Sequence, residues 1–181
     1  MNNYHVNLNI PVAYDPPNYD IPDKNFHLHR RIQKEEMGKE FKEWIYSLGL
    51  YIIMGEYFYT PPERTLEPHS DTLTITDVVK LNWMWGGEGS VMDWYELKPG
   101  ARLKTGTTTV NSNYSFAAKS DIELVHTATI GQPSLVNVGR IHGVRNGDQP
   151  RHVACVILGT SDTKRRTTWS EAKNIFKKYV V

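Results

Sequence analysis

The residues of this chain whose types and spacing suit chemistry are His69, Asp71 and His142, with Arg151 nine positions after the last of them. Two neutral imidazole nitrogens and one carboxylate oxygen can occupy one face of an octahedral metal ion and leave the other positions open, a ligand set that suits non-haem Fe(II). A guanidinium nearby can grip a carboxylate through two parallel hydrogen bonds. His69 and Asp71 stand two positions apart just after Pro68, so on extended chain both side chains point the same way. His142 lies about seventy residues further on. The fold must therefore bring distant segments side by side.

The elements that would do this can be read from periodicity. Val6, Leu8, Ile10 and Val12 alternate with polar residues over 5 to 12, which predicts a half-buried strand. Pro16, Pro17 and Pro22 then make residues 14 to 25 an extended arm, so 1 to 32 reads as an N-terminal strand followed by an arm. Met37, Phe41, Trp44, Ile45 and Leu48 recur at helical spacing, and Gly49 supplies a stop. This predicts an amphipathic helix over 33 to 48. From Leu50 to Tyr59 the chain is rich in aromatic and β-branched residues and is cut off by Pro61 and Pro62. That stretch is the first strand of a β-rich body.

Further strands are expected at 74 to 85, 91 to 97, 101 to 105, 121 to 129, 134 to 139, 141 to 146 and 151 to 158, separated by turn signals such as Gly86-Gly87 and Pro99-Gly100. Short strands at this spacing, with no helical pattern between them, point to an antiparallel jelly-roll body over 50 to 158. Thr168-Trp169-Ser170-Glu171 is a capping box that opens a short helix over 168 to 179. At 181 residues the whole, 1 to 181, reads as a single domain.

Composition narrows the partners. Lys plus Arg number 21 against 20 Asp plus Glu, so no excess of positive charge argues for nucleic acid or an anionic membrane. A small-molecule or peptide substrate and a cytoplasmic location are expected. The single cysteine, Cys155, lies in the apolar run from Val153 to Leu158 and reads as a small core residue.

His69-x-Asp71, the distant His142 and Arg151 together resemble the signature of the Fe(II)- and 2-oxoglutarate-dependent oxygenases. The segment from His142 to Asn146 with Arg151 is also similar to the matching strand pair of aspartyl/asparaginyl or prolyl hydroxylase-like members. The resemblance implies a mainly β double-stranded β-helix, a cupin-like barrel with flanking helices. It further implies that His69, Asp71 and His142 hold Fe(II), that Arg151 binds the distal carboxylate of 2-oxoglutarate, and that the activity is hydroxylation of a C–H bond. Many members carry Ser two residues after the arginine, where this chain has Val153; Asn82 and Lys80, which share a strand face, are the candidates to complete the cosubstrate grip.

Other features take plainer readings. His27-Leu28-His29 runs into a polar stretch and is not expected to bind metal. Trp83, Trp85, Trp94 and Tyr95 are expected between a sheet and its covering helices, and His126 as a core histidine. Residues 104 to 120 form a long polar loop of the kind that covers binding sites. Two rival functions use the same fold: a cupin-type metalloenzyme without 2-oxoglutarate, and a non-catalytic jelly-roll binding module.

Overall fold

A computed structural model describes residues 3–12, 14, 19–21, 24–130 and 133–181. Among these the strands are β1 His5–Asn7, β2 Leu28–Ile32, β3 Leu50–Thr60, β4 Thr65–Ser70, β5 Val79–Gly86, β6 Val91–Leu97, β7 Lys104–Thr107, β8 Asn113–Phe116, β9 Ile122–Ala128, β10 Ser134–Asn137, β11 Ile141–Arg145 and β12 Arg151–Thr160; the helices are α1 Lys39–Ser47 and α2 Trp169–Ile175. They form two six-stranded sheets, ordered β1-β10-β5-β12-β3-β2 and β7-β8-β4-β11-β6-β9, with antiparallel pairing throughout. From β3 to β6, and again from β9 to β12, consecutive strands alternate between the sheets. The chain thus winds as a double-stranded β-helix, as the strand spacing and the resemblance both implied.

Alternation along three neighbouring strands of the first sheet separates two environments. Tyr57, Tyr59, Leu81, Trp83, Ala154 and Val156 point outward and are buried beneath Phe41, Trp44 and Ile45 of α1 and Trp169, Ala172 and Phe176 at the C-terminal end. Each large apolar side chain so buried contributes roughly 1.5–3 kcal/mol. Met54, Glu56, Phe58, Lys80, Asn82, Arg151, Val153, Cys155 and Ile157 point inward and line a cavity. The pairing sets Glu56, Cys155 and Asn82 in one row, with Lys80 and Ile157 one step to one side and Arg151 two steps to the other.

Several elements differ from their sequence expectation. The helix over 33 to 48 is instead a 3-10 turn, Lys34–Glu36, and α1, because Gly38 adopts φ +29° between them and Met37 is buried at the break. The first strand stops at Asn7, and Leu8 continues only as a bridge to Val180. Leu28–Ile32, assigned to the arm, is a strand paired with β3; its hydrophobic alternation is hidden by His29, Arg30 and Arg31. Most of the proline-rich arm lies outside the described residues, but Tyr14 packs on Phe41 and Trp83, and Tyr19 on Tyr57.

The strand expected from residue 74 starts only at Val79, and that expected over 101 to 105 lies at 104 to 107. The polar loop over 104 to 120 is a β7–β8 hairpin that extends the second sheet beside β4. The C-terminal helix is shorter, α2 followed by a 3-10 turn Lys177–Tyr179, and its capping box is present: Thr168 N–H donates to Glu171 Oε2 at 2.9 Å and Glu171 N–H to Thr168 Oγ1 at 3.4 Å. Trp94 fills space between the sheets beside Tyr4 and His5, not under a helix. A register shift between β6 and β9 turns Leu124 outward, so His126 is half-buried and stacks on Tyr4. No helix among the described residues is long and apolar enough to cross a membrane.

Candidate metal centre

His69 and His142 are direct cross-strand partners on β4 and β11, and their ring centroids lie 4.6 Å apart. A bulge follows at Gly143, where any Cβ would meet Leu66 O at 2.9 Å; glycine permits that close approach. Asp71 follows β4, held by its N–H donating to Val138 O at 2.9 Å and by Arg166 Nη1 donating to its carbonyl oxygen at 3.1 Å. One potential ligand atom from each of His69, Asp71 and His142 falls within 4.8 Å of the others; this is the one such group of three among the described residues.

Both imidazoles are oriented for the role. Nδ1 of His69 donates to Glu67 O at 2.8 Å and Nδ1 of His142 to Arg140 O at 2.9 Å, which leaves each Nε2 to face the centre. Asp71 divides its oxygens. Oδ1 lies 3.4 Å from His69 Nε2, whereas Oδ2 lies 2.6 Å from the ammonium of Lys80. The donor set, two imidazole Nε2 atoms and one directed carboxylate oxygen, fits a divalent ion of the Fe(II) type, whose binding would displace the proton that His69 Nε2 shares with Asp71.

Electrostatics agree with this geometry. Burial lowers the His142 imidazole to about 4, with the neighbouring His69 charge adding to the effect, so at neutral pH it is an uncharged ligand. Burial also works against the Asp71 carboxylate, but the charge of Lys80 and the hydrogen bond from His69 hold its pKa well below the usual range. His69 is likewise opposed by burial and is raised overall by its hydrogen bond to Asp71.

Lys80 continues the chain of charges. Its Nζ also lies 2.6 Å from Glu56 Oε2, and Glu56 Oε1 accepts from His29 Nε2 at 3.2 Å and Ser112 Oγ at 3.0 Å. Lys80 is thus committed to two carboxylates and is not free to share a cosubstrate with Asn82. Asn82 faces the cavity with its Oδ1 buried and unpaired among the described residues. Arg151 has 6 % exposure, contacts Met84 Sδ through Nε at 3.0 Å, and has no carboxylate within ion-pair distance among the described residues. Burial lowers it to about 10.

The cavity joining these groups measures about 1180 Å³ and is lined by the triad, Arg151, Lys80, Glu56 and Arg166, and by Thr107 to Thr109 and Asn111 to Tyr114 of the β7–β8 hairpin. The hairpin is clipped to the other sheet by Arg31 Nη2 donating to Val110 O at 3.0 Å. His27 and His29 face the cavity but bond to Thr60 and Glu56 and lie outside the metal group. Cys155 is buried, and burial pushes its thiol pKa up, away from reactivity.

Sequence reasoning missed Glu56, His29 and Arg166. Glu56 left a signal, a lone acid in an otherwise apolar strand; His29 was weighed only as a metal ligand, and Arg166 left none.

No protein-family model matches the chain, and no curated protein matches it. Among solved structures it is similar to an oxalate oxidase in complex with the substrate analogue glycolate, at 13% identity and TM-score 0.34, over 85% of this chain and 59% of that one. A cupin 2 domain-containing protein from Halorhodospira halophila gives 9% identity and TM-score 0.34, over 91% and 81% of the two chains. Pumpkin seed globulin gives 14% identity and TM-score 0.35, over 90% and 37%. Values this low bear on neither activity nor ligand, and the fold rests on the strand order itself.

Proposed function

We propose that this chain is a non-haem Fe(II)- and 2-oxoglutarate-dependent dioxygenase that hydroxylates a C–H bond of an amino-acid, peptide or other small substrate. The observation that carries the reading is Arg151, a buried guanidinium without an acid partner among the described residues, on the wall of the same cavity as His69, Asp71 and His142. A buried charge left unpaired is costly, and a carboxylate cosubstrate would supply its partner.

Fe(II), 2-oxoglutarate and O₂ supply the oxidation, in which 2-oxoglutarate yields succinate and CO₂, one oxygen atom enters succinate and the other enters the substrate C–H bond. The chain's residues position and shield. His69, Asp71 and His142 would hold the metal, and Lys80 fixes the Asp71 oxygen that faces away from His69. Arg151 receives the distal carboxylate, and Asn82, on the wall between Lys80 and Arg151, offers its amide donors to the same molecule. Val153 contributes apolar surface only. The β7–β8 hairpin covers the cavity and excludes water.

The test is thermal stability measured anaerobically with Fe(II), then with Fe(II) and 2-oxoglutarate, for the parent, His69→Ala and Arg151→Gln. A ligand at about a hundred times its Kd adds roughly 2.7 kcal/mol, a shift of about 5–10 °C for a domain of this size. His69→Ala should lose the first increment and Arg151→Gln only the second. If iron stabilises and 2-oxoglutarate adds nothing, the cupin-type metalloenzyme replaces this reading; if neither acts, the binding module does.

A further inference from the structure

Arg166 is a second guanidinium on the cavity wall, and unlike its neighbour Arg165, which pairs with Glu171, it has no carboxylate partner among the described residues. Nη1 donates to the carbonyl oxygen of Asp71, which sets the group beside a candidate metal ligand. Nε and Nη2 are buried with no acceptor among the described residues. These two nitrogens lie on one edge of the guanidinium and present parallel N–H groups, the pair that takes both oxygens of a carboxylate.

Arg166 and Arg151 enter the cavity from opposite ends of β12. Arg151 opens β12, whereas Arg166 bridges to Gly159 near its other end. Eight residues of strand span about 27 Å, so the two backbones stand well apart and the two guanidiniums approach the metal group from different sides. The charge of the cavity wall points the same way. Lys119 pairs with Glu67, which leaves Arg31, Lys80, Arg151 and Arg166 against Glu56 and Asp71, an excess of two cations. A divalent metal and a dianionic cosubstrate cancel each other, so that excess remains, and the unoccupied guanidinium edge belongs to Arg166. Leu73, Val138 and Ile157 line the cavity with it and offer apolar contact.

We infer that Arg166 anchors a carboxylate of the substrate, so that the substrate is a small organic acid with an aliphatic portion, held with its acid group beside the metal. This rests on the oxygenase reading of the site. The experiment uses full-length protein loaded with Zn(II) and 2-oxoglutarate, which binds without turnover, and compares hexanoate with hexanamide by thermal shift and ligand-observed NMR in the parent, Arg166→Gln, Arg166→Lys and Arg151→Gln. Hexanoate should bind and hexanamide should not. Arg166→Gln should weaken hexanoate roughly 10- to 100-fold with the 2-oxoglutarate increment retained, and Arg166→Lys should fall between, keeping charge without the fork. Equal binding of acid and amide, or hexanoate affinity that follows Arg151 and not Arg166, overturns the inference. Hexanoate binding that follows Arg166 in a parent that does not bind 2-oxoglutarate keeps the acid site and sinks the oxygenase reading instead.

Discussion

The ammonium of Lys80 stands 2.6 Å from Oδ2 of Asp71, on the carboxylate oxygen that does not approach His69. A buried cation placed there aims the other oxygen at the two imidazoles and keeps the carboxylate ionised.

Replacing Lys80 by Met should therefore weaken Zn(II) or Fe(II) binding by about 10- to 100-fold, the usual effect of losing a group that orients a metal ligand. It should also lower stability by roughly 3–5 kcal/mol, since Asp71 and Glu56 lose their shared partner. Chelator competition and denaturant unfolding read the two effects separately. Metal affinity that rises in Lys80→Met would show that the ammonium repels the ion more than it orients its ligand.

Arg151→Met should have opposite effects on stability and on binding. The metal-free protein should be no less stable, and about 1 kcal/mol more stable where the removed charge was costly to bury. The 2-oxoglutarate increment should disappear while the Fe(II) increment remains. Calorimetric unfolding with and without each ligand checks this pattern, which a purely structural arginine would not give.

Gly87 should matter through Arg151. It adopts φ +67°, and a Cβ there would lie 2.8 Å from Arg151 Cβ and 2.9 Å from its Cγ. Gly87→Ala is expected to cost about 1–3 kcal/mol and to weaken 2-oxoglutarate binding, with metal affinity unchanged. Titration of the Zn(II)-loaded variant with 2-oxoglutarate measures it.

Glu56 gives a pH signature. Burial opposes its ionisation, but Lys80 and the hydrogen bond from His29 lower its pKa to about 2 from the ordinary 4.5. A depressed acid contributes stability above its unfolded pKa and loses it as pH falls through the folded one, so the loss runs from about pH 4.5 to 2. Its size is on the order of 3 kcal/mol. Glu56→Gln should flatten the stability curve of the metal-free protein in that window; an unchanged slope would assign the acid sensitivity to other carboxylates.

What could be read from sequence was what is local or periodic. His69 and Asp71 are two residues apart on extended chain, and His142 with Arg151 brackets one turn between strands, so the fold needed only to join two short segments. Lys80 and Glu56 meet only through sheet register, and Arg166 reaches Asp71 from beyond the end of β12, contacts that no window of sequence displays. The β7–β8 hairpin was hidden because its seven threonine, serine and asparagine residues from Thr107 to Ser115 carry no hydrophobic alternation. β2 was hidden by charge on an edge strand, where polar side chains are tolerated.

β12 lies between β3 and β5 in the middle of its sheet, and this orders how the molecule can be made. Its pairing with β3 joins residues about 90 to 110 positions apart, contacts of the kind that slow folding and come late. A nascent chain ending at Arg145 already holds His69, Asp71 and His142, yet the wall opposite them is split into two halves with open edges. Only insertion of residues 151 to 160 closes it, delivering Arg151 and sealing the cavity in one step. During synthesis, then, the three candidate ligands are complete before their enclosure is, and that interval is when the chain is most exposed to taking up the wrong metal or pairing with another chain's strands.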